Sequence, residues 1–160
     1  MHRMPKIPEL MRYAVLLIML VSNMVFAQSI SMVPEVEQYV VDVVNEGLKR
    51  DMHLMSDILD NVDYILVSDD LPLGVVGAYS RSRKTILVSI SILDDEQVLR
   101  STIYHEIGHA LTGSEHFCPT CSHIMAEYEH TYIDRDLYIE SWDLLLNEYF
   151  NYIRTYKQKK

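Results

Sequence analysis

Residues 99–113 read LRSTIYHEIGHALTG, and within them His105-Glu106-Ile107-Gly108-His109 forms an H-E-x-x-H. With this composition the pattern is expected by accident about 0.02 times in the chain, so it carries information. Asp94, Asp95 and Glu96 supply a cap and an acidic first turn, and Gly113 supplies a stop, which predicts a helix running to Thr112. On a helix, residues i and i+4 lie on one face about a turn apart, so His105 and His109 can grip one metal ion. Glu106 then sits about 100° around from His105 and about 60° from His109, beside the metal but not on it. From there it can take a proton from zinc-bound water, whose pKa the metal lowers to about 7. Leu99, Ile103, Ile107 and Leu111 form the opposite stripe, apolar and suited to packing on a sheet.

The flanking sequence supplies the other elements. Pro34 opens a helical pattern with Glu35 and Glu37 in its first turn and Val36, Val40, Val44 and Leu48 at helical spacing. A shorter helical piece is predicted over 52–59. Strands are predicted over 62–67 (VDYILV), 75–80 and 85–91, the last two flanking the basic turn Arg81-Ser82-Arg83-Lys84. A histidine- and cysteine-rich loop covers 114–134. A final long helix carries Trp142, Leu145, Tyr149, Ile153 and Tyr156 on one stripe, ending in Lys157, Lys159 and Lys160. The fold class expected is α+β: a short mixed sheet packed on the N-terminal helix and the histidine helix, then a loop and the C-terminal helix.

Composition narrows the function. The 160 residues carry 14 Lys+Arg against 23 Asp+Glu, a formal net charge of −9, which argues against a nucleic-acid binder. Charged residues at 23% and hydrophobic ones at 49% suit a packed core. Arg3, Lys6 and Arg12 precede an apolar run, YAVLLIMLVSNMVFA, over 13–27; this reads as a secretory signal peptide cleaved after Ala27. The run holds Ser22 and Asn23 and is shorter than the ~20 residues a spanning helix needs. Residues 28–160 are then one exported domain, secreted or periplasmic, and more acidic than the whole chain. The only cysteines, Cys118 and Cys121, would lie where a disulfide is permitted.

A catalytic zinc keeps three protein ligands and an open position, so a third ligand is needed beyond the helix. The stretch from His105 to His116, with Ile124-Met125 following, resembles the metzincin metallopeptidases, whose long motif H-E-x-x-H-x-x-G-x-x-H precedes a methionine turn. The similarity spans roughly 85–128 and extends to archaemetzincins and matrixins. It implies a small zincin-like domain with His105, His109 and His116 as zinc ligands, Glu106 as general base and Met125 as the turn methionine. The implied activity is that of a zinc endopeptidase. Here His109 to Gly113 is one residue longer than the family pattern, which puts Thr112 at the glycine position and Glu115 at the third-ligand position. Glu115 is therefore the alternative ligand, and Glu140 or Glu148 of the last helix a further one. Cys118 and Cys121 are read as a loop disulfide, as part of a second, structural zinc site with His123 and His130, as archaemetzincins have, or as a free pair. Tyr128 and Tyr132 are candidate hydrogen-bond donors to a tetrahedral intermediate, as in astacin-like enzymes. The expected partner is a protein or peptide substrate laid along the strand 85–91 as the sheet edge. The chain is read as a monomer with no nucleic acid and no membrane contact beyond an uncleaved signal peptide. The rival reading is an inactive zinc-binding or interaction module on the same fold.

Overall fold

The computed structural model describes residues 30–113, 116, 123–126 and 141–159. Its architecture is a small mixed α+β fold with four helices and a four-stranded sheet among these residues. The predicted signal segment lies outside them. No helix among the described residues is long and apolar enough to cross a membrane.

Strand β1 (Ser31–Met32) leads into helix α1 (Pro34–Leu48), which begins at Pro34 because its fixed φ and missing N–H suit a first turn. The buried face of α1 is Val36, Tyr39, Val40, Val43 and Gly47, while Leu48, placed on the stripe by spacing alone, is exposed. Helix α2 (Met55–Asn61) starts and ends later than the periodicity predicts. Strands β2 (Tyr64–Ser68), β3 (Gly77–Ser80) and β4 (Thr85–Ser89) follow, and the chain leaves β4 through a 3-10 turn at Ile90–Ile92. Helix α3 (Glu96–Thr112) is capped by the Asp95 carboxylate, which accepts the Val98 N–H at 3.2 Å. Gly113 stops it in the left-handed conformation, φ 65°. Helix α4 (Trp142–Lys157) closes the described chain and buries Leu145, Leu146, Tyr149, Phe150 and Ile153.

The sheet order is β1-β2-β4-β3, with β2 parallel to β1 and β4, and β3 antiparallel to β4. This corrects one expectation: the strand leading into the histidine helix is interior, and β3 is the edge. β4 reads Thr-Ile-Leu-Val-Ser, with Thr85, Ile86 and Val88 buried; a continuous apolar run fits a strand paired on both sides. Ser89 N–H donates to the Val76 carbonyl at 2.8 Å. In the alternating antiparallel ladder, Ala78 and Ser80 therefore face β4, and the backbone groups of Gly77 and Tyr79 face the outer edge.

α3 is the central element. It meets α1, α2, α4, β3 and β4, and nearly all of it from Leu99 to Thr112 is buried. The predicted stripe of Leu99, Ile103, Ile107 and Leu111 lies in this core. α4 is tied to it by the Tyr149 hydroxyl, which donates to the Tyr104 carbonyl at 2.7 Å.

Candidate metal centre

Two of the site's side chains come from one face of α3, as the spacing requires, and the third comes from beyond Gly113. The ligand atoms of His105, His109 and His116 all lie within 4.8 Å of one another. Ring centroids are 4.6 Å apart for His105 and His109, 5.1 Å for His105 and His116, and 4.9 Å for His109 and His116. The left-handed turn at Gly113 lets the chain reverse and bring His116 back despite the longer spacing. His105 is buried, His109 half-buried and His116 exposed, so the cluster opens to solvent on the third histidine's side.

The protonation pattern of His105 follows from its partner. Its Nδ1 lies 2.6 Å from the Ile124 carbonyl, which can only accept, so Nδ1 carries the hydrogen and Nε2 is left with its lone pair. That Nε2 lies 3.0 Å from Nε2 of His109. Nitrogens bound tetrahedrally at ~2.1 Å from one ion stand about 3.4 Å apart, so the pair needs only a small adjustment to share a metal. Three imidazole nitrogens with one already oriented by a backbone carbonyl fit a divalent ion.

Glu106 is 5% exposed and lies under the edge strand. A Cβ placed on Gly77 would come 2.8 Å from Glu106 Oε1 and 2.5 Å from Thr102 Cγ2, so the glycine is what allows β3 to pass over the carboxyl. Burial pushes the Glu106 pKa up to about 8, opposed by a hydrogen bond from the Tyr79 backbone N–H. Among the described residues no cation contributes to that balance.

Beneath the helix, His123-Ile124-Met125-Ala126 is buried throughout. The Met125 side chain occupies the space against Gly108, where a Cβ would meet its Sδ at 2.2 Å and the Tyr149 ring at 3.0 Å. His123 holds this turn: its Nδ1 accepts the Met125 N–H at 2.9 Å, and the ring also hydrogen-bonds the Glu148 backbone. Burial lowers the His123 pKa, with Glu148 opposing the shift. Its ring packs edge-on to Tyr152 at 5.8 Å.

The structure thus brings together His105, Glu106, His109, His116 and Met125. Glu148 is not a member of this cluster and interacts instead with His123. Glu115, Cys118, Cys121, Tyr128, His130, Tyr132 and Glu140 lie outside the described residues. Gly77, Tyr79 and Gly108 are site residues that the sequence reading missed. Only Gly108 left a signal, since a glycine inside a helix costs about 1 kcal/mol against alanine and needs a packing reason. The chain matches no protein family, no curated protein and no solved structure.

Proposed function

We propose that the protein is a zinc-dependent endopeptidase of the metzincin-like kind, with His105, His109 and His116 as ligands and Glu106 as general base. The observation that carries this reading is Glu106, a buried carboxyl with no counter-charge among the described residues, beside three converging imidazoles. Binding a metal requires the imidazoles alone, and a carboxyl kept from water costs stability, a cost that marks it as a candidate for chemistry. Zinc suits three neutral nitrogens that leave a fourth tetrahedral position open. When bound, it supplies Lewis acidity, acidifying water and polarising a carbonyl oxygen.

The remaining work falls to the chain. Glu106 accepts a proton from the attacking water and donates it to the departing amine nitrogen, with no covalent intermediate. Burial raises the Glu106 pKa, and a cation held by the three histidines would act in the opposite direction and favour the carboxylate that accepts the proton. Tyr79 N–H orients the carboxylate. The outward backbone groups of Gly77 and the Tyr79 carbonyl offer an extended peptide a strand edge to pair with, while the Tyr79 N–H is engaged by Glu106. Met125 fills the floor beneath Gly108 without entering the chemistry. The reading includes export through residues 1–27 and, for Cys118 and Cys121, a disulfide that stiffens the loop bearing His116.

The test compares zinc content and hydrolysis of a mixed peptide pool for the wild-type protein and Glu106→Gln. The variant is expected to keep its zinc and lose about 10²- to 10⁴-fold in kcat/KM. Near wild-type hydrolysis by the variant, or hydrolysis that survives removal of zinc by phenanthroline, overturns the reading. Zinc binding without hydrolysis in the wild type would establish the inactive module instead.

A further inference from the structure

The turn that ends the edge strand concentrates positive charge in an acidic chain: Arg81, Arg83 and Lys84 lie within four residues, against a net charge of −9. Arg81 is exposed, yet its guanidinium rests on the C-terminal end of α3. A Cβ added to Gly113 would lie 1.4 Å from Nη2 of Arg81 and 2.6 Å from Cζ. The space the guanidinium uses exists because residue 113 has no side chain. Gly113 N–H donates to the His109 carbonyl at 2.7 Å, so the guanidinium rests about 6 Å along the helix axis past the second histidine.

The strand and the helix run side by side in the same sense. Gly77 sits at the level of Thr102 and Glu106, and Arg81 sits at the level of Gly113. By the two-residue alternation of a strand, Gly77 and Tyr79 direct their substituents to one face, the face toward α3, and Arg81, the first residue of the turn, reaches the same helix through its contact at Gly113. A segment paired along β3 across Glu106 therefore passes Arg81 within a few residues.

No carboxylate among the described residues pairs with Arg81. The ion pairs there join Glu46 to Lys49 and Arg50, Asp42 to Arg100, and Asp57 to Lys157. The helix C-terminus offers only partial negative charge. A planar fork of donors thus lies at the C-terminal end of the histidine helix, with a geometry that matches a carboxylate.

We propose that Arg81 anchors a carboxylate subsite, so that the protein prefers peptides with an acidic side chain a few residues from the reacting bond; this rests on the peptidase reading. Arg81 here sets specificity by binding substrate, and Gly113 acts through it by leaving room for the guanidinium.

The experiment uses a set of peptides, blocked at both ends, that carry Glu, Gln or Lys at successive positions. The readout is the ratio of kcat/KM for the Glu peptide over its Gln counterpart. The wild-type ratio is expected at about fivefold at the best position, falling toward one in Arg81→Gln and below one in Arg81→Glu. Arg83→Gln is expected to retain the preference, because a subsite depends on contact and a general field does not. A ratio unchanged by both Arg81 substitutions, or one reduced equally by Arg83→Gln, overturns the proposal while leaving the peptidase reading intact. The same ratio is read from binding, by fluorescence anisotropy of labelled peptides on two zinc-loaded proteins, Glu106→Gln alone and Glu106→Gln combined with Arg81→Gln. If the wild type hydrolyses no peptide, the peptidase reading fails, and equal affinity for Glu and Gln peptides in both of these proteins overturns the subsite separately.

Discussion

At the scale of single residues, Gly108 separates what a side chain would obstruct from what a helix prefers. Gly108 lies inside α3, where alanine would gain about 1 kcal/mol from propensity. Its missing Cβ is instead filled by Met125 Sδ and bounded by the Tyr149 ring, which is pinned through its hydroxyl to the Tyr104 carbonyl. Met125 is a flexible side chain, but it is fully buried in a close-packed interior. Gly108→Ala is therefore expected to be net destabilising by about 1–2 kcal/mol in thermal or denaturant unfolding, overpacking outweighing propensity. Met125→Ala removes the colliding atoms, so the double variant should be more stable than the sum of the two single changes. Strict additivity would show that Gly108 and Met125 do not compete for the same space. The chemistry-bearing residues were legible in the sequence because helical spacing alone puts His105, Glu106 and His109 together. Gly77, Tyr79 and the contact of Arg81 with Gly113 were not, since they depend on which strand passes over the helix.

At the scale of elements, the turn at 123–126 joins the histidine helix to α4. The chain of contacts runs from the Glu148 backbone to His123, from His123 to the Met125 N–H, and from the adjoining Ile124 carbonyl to His105 Nδ1. His123 thus positions the turn whose Ile124 carbonyl meets His105, while the cysteines of the expected structural-zinc alternative lie outside the described residues. In His123→Ala the buried Met125 N–H loses its acceptor, at a cost of about 1–3 kcal/mol. Zinc affinity should fall about 10- to 100-fold, as for other groups that orient a ligand from behind. His123→Asn, which keeps a short acceptor near the turn, should recover part of the affinity. Affinity unchanged in the alanine variant, measured by competition with a zinc chelator, would mean that Ile124 holds His105 without help. Helix α3 was readable to within two residues because its cap, its stop and its periodicity agree. The sheet order was not readable, because hydrophobic alternation reports which face of a strand is buried and says nothing of its neighbours. The apolar run at β4 was itself the mark of an interior strand.

At the scale of the whole molecule, α4 is fastened at several points far apart in sequence. Arg50 donates to Asn147 Oδ1 at 3.0 Å, Arg154 to the Arg50 carbonyl at 2.7 Å, and Lys157 pairs with Asp57. These contacts are exposed, and each contributes little by itself. The histidine cluster adds a different kind of fastening, because its third member comes from the segment beyond the helix. A metal held by all three histidines closes that segment onto α3, and the unfolded chain offers no such site, so binding free energy becomes folding free energy. At a free zinc concentration about 100 times its Kd the gain is about 2.7 kcal/mol. For a domain near this size that corresponds to a rise in Tm of about 5–10 °C. His105→Ala and His116→Ala should each remove most of the rise, while Glu115→Ala should keep it, because neutral imidazole at His116 completes the set. The measurement is a thermal scan at matched free zinc, and it is independent of whether any peptide is cleaved. A full shift in His116→Ala together with its loss in Glu115→Ala would assign the third position to the carboxylate and return the ligand spacing to the metzincin register.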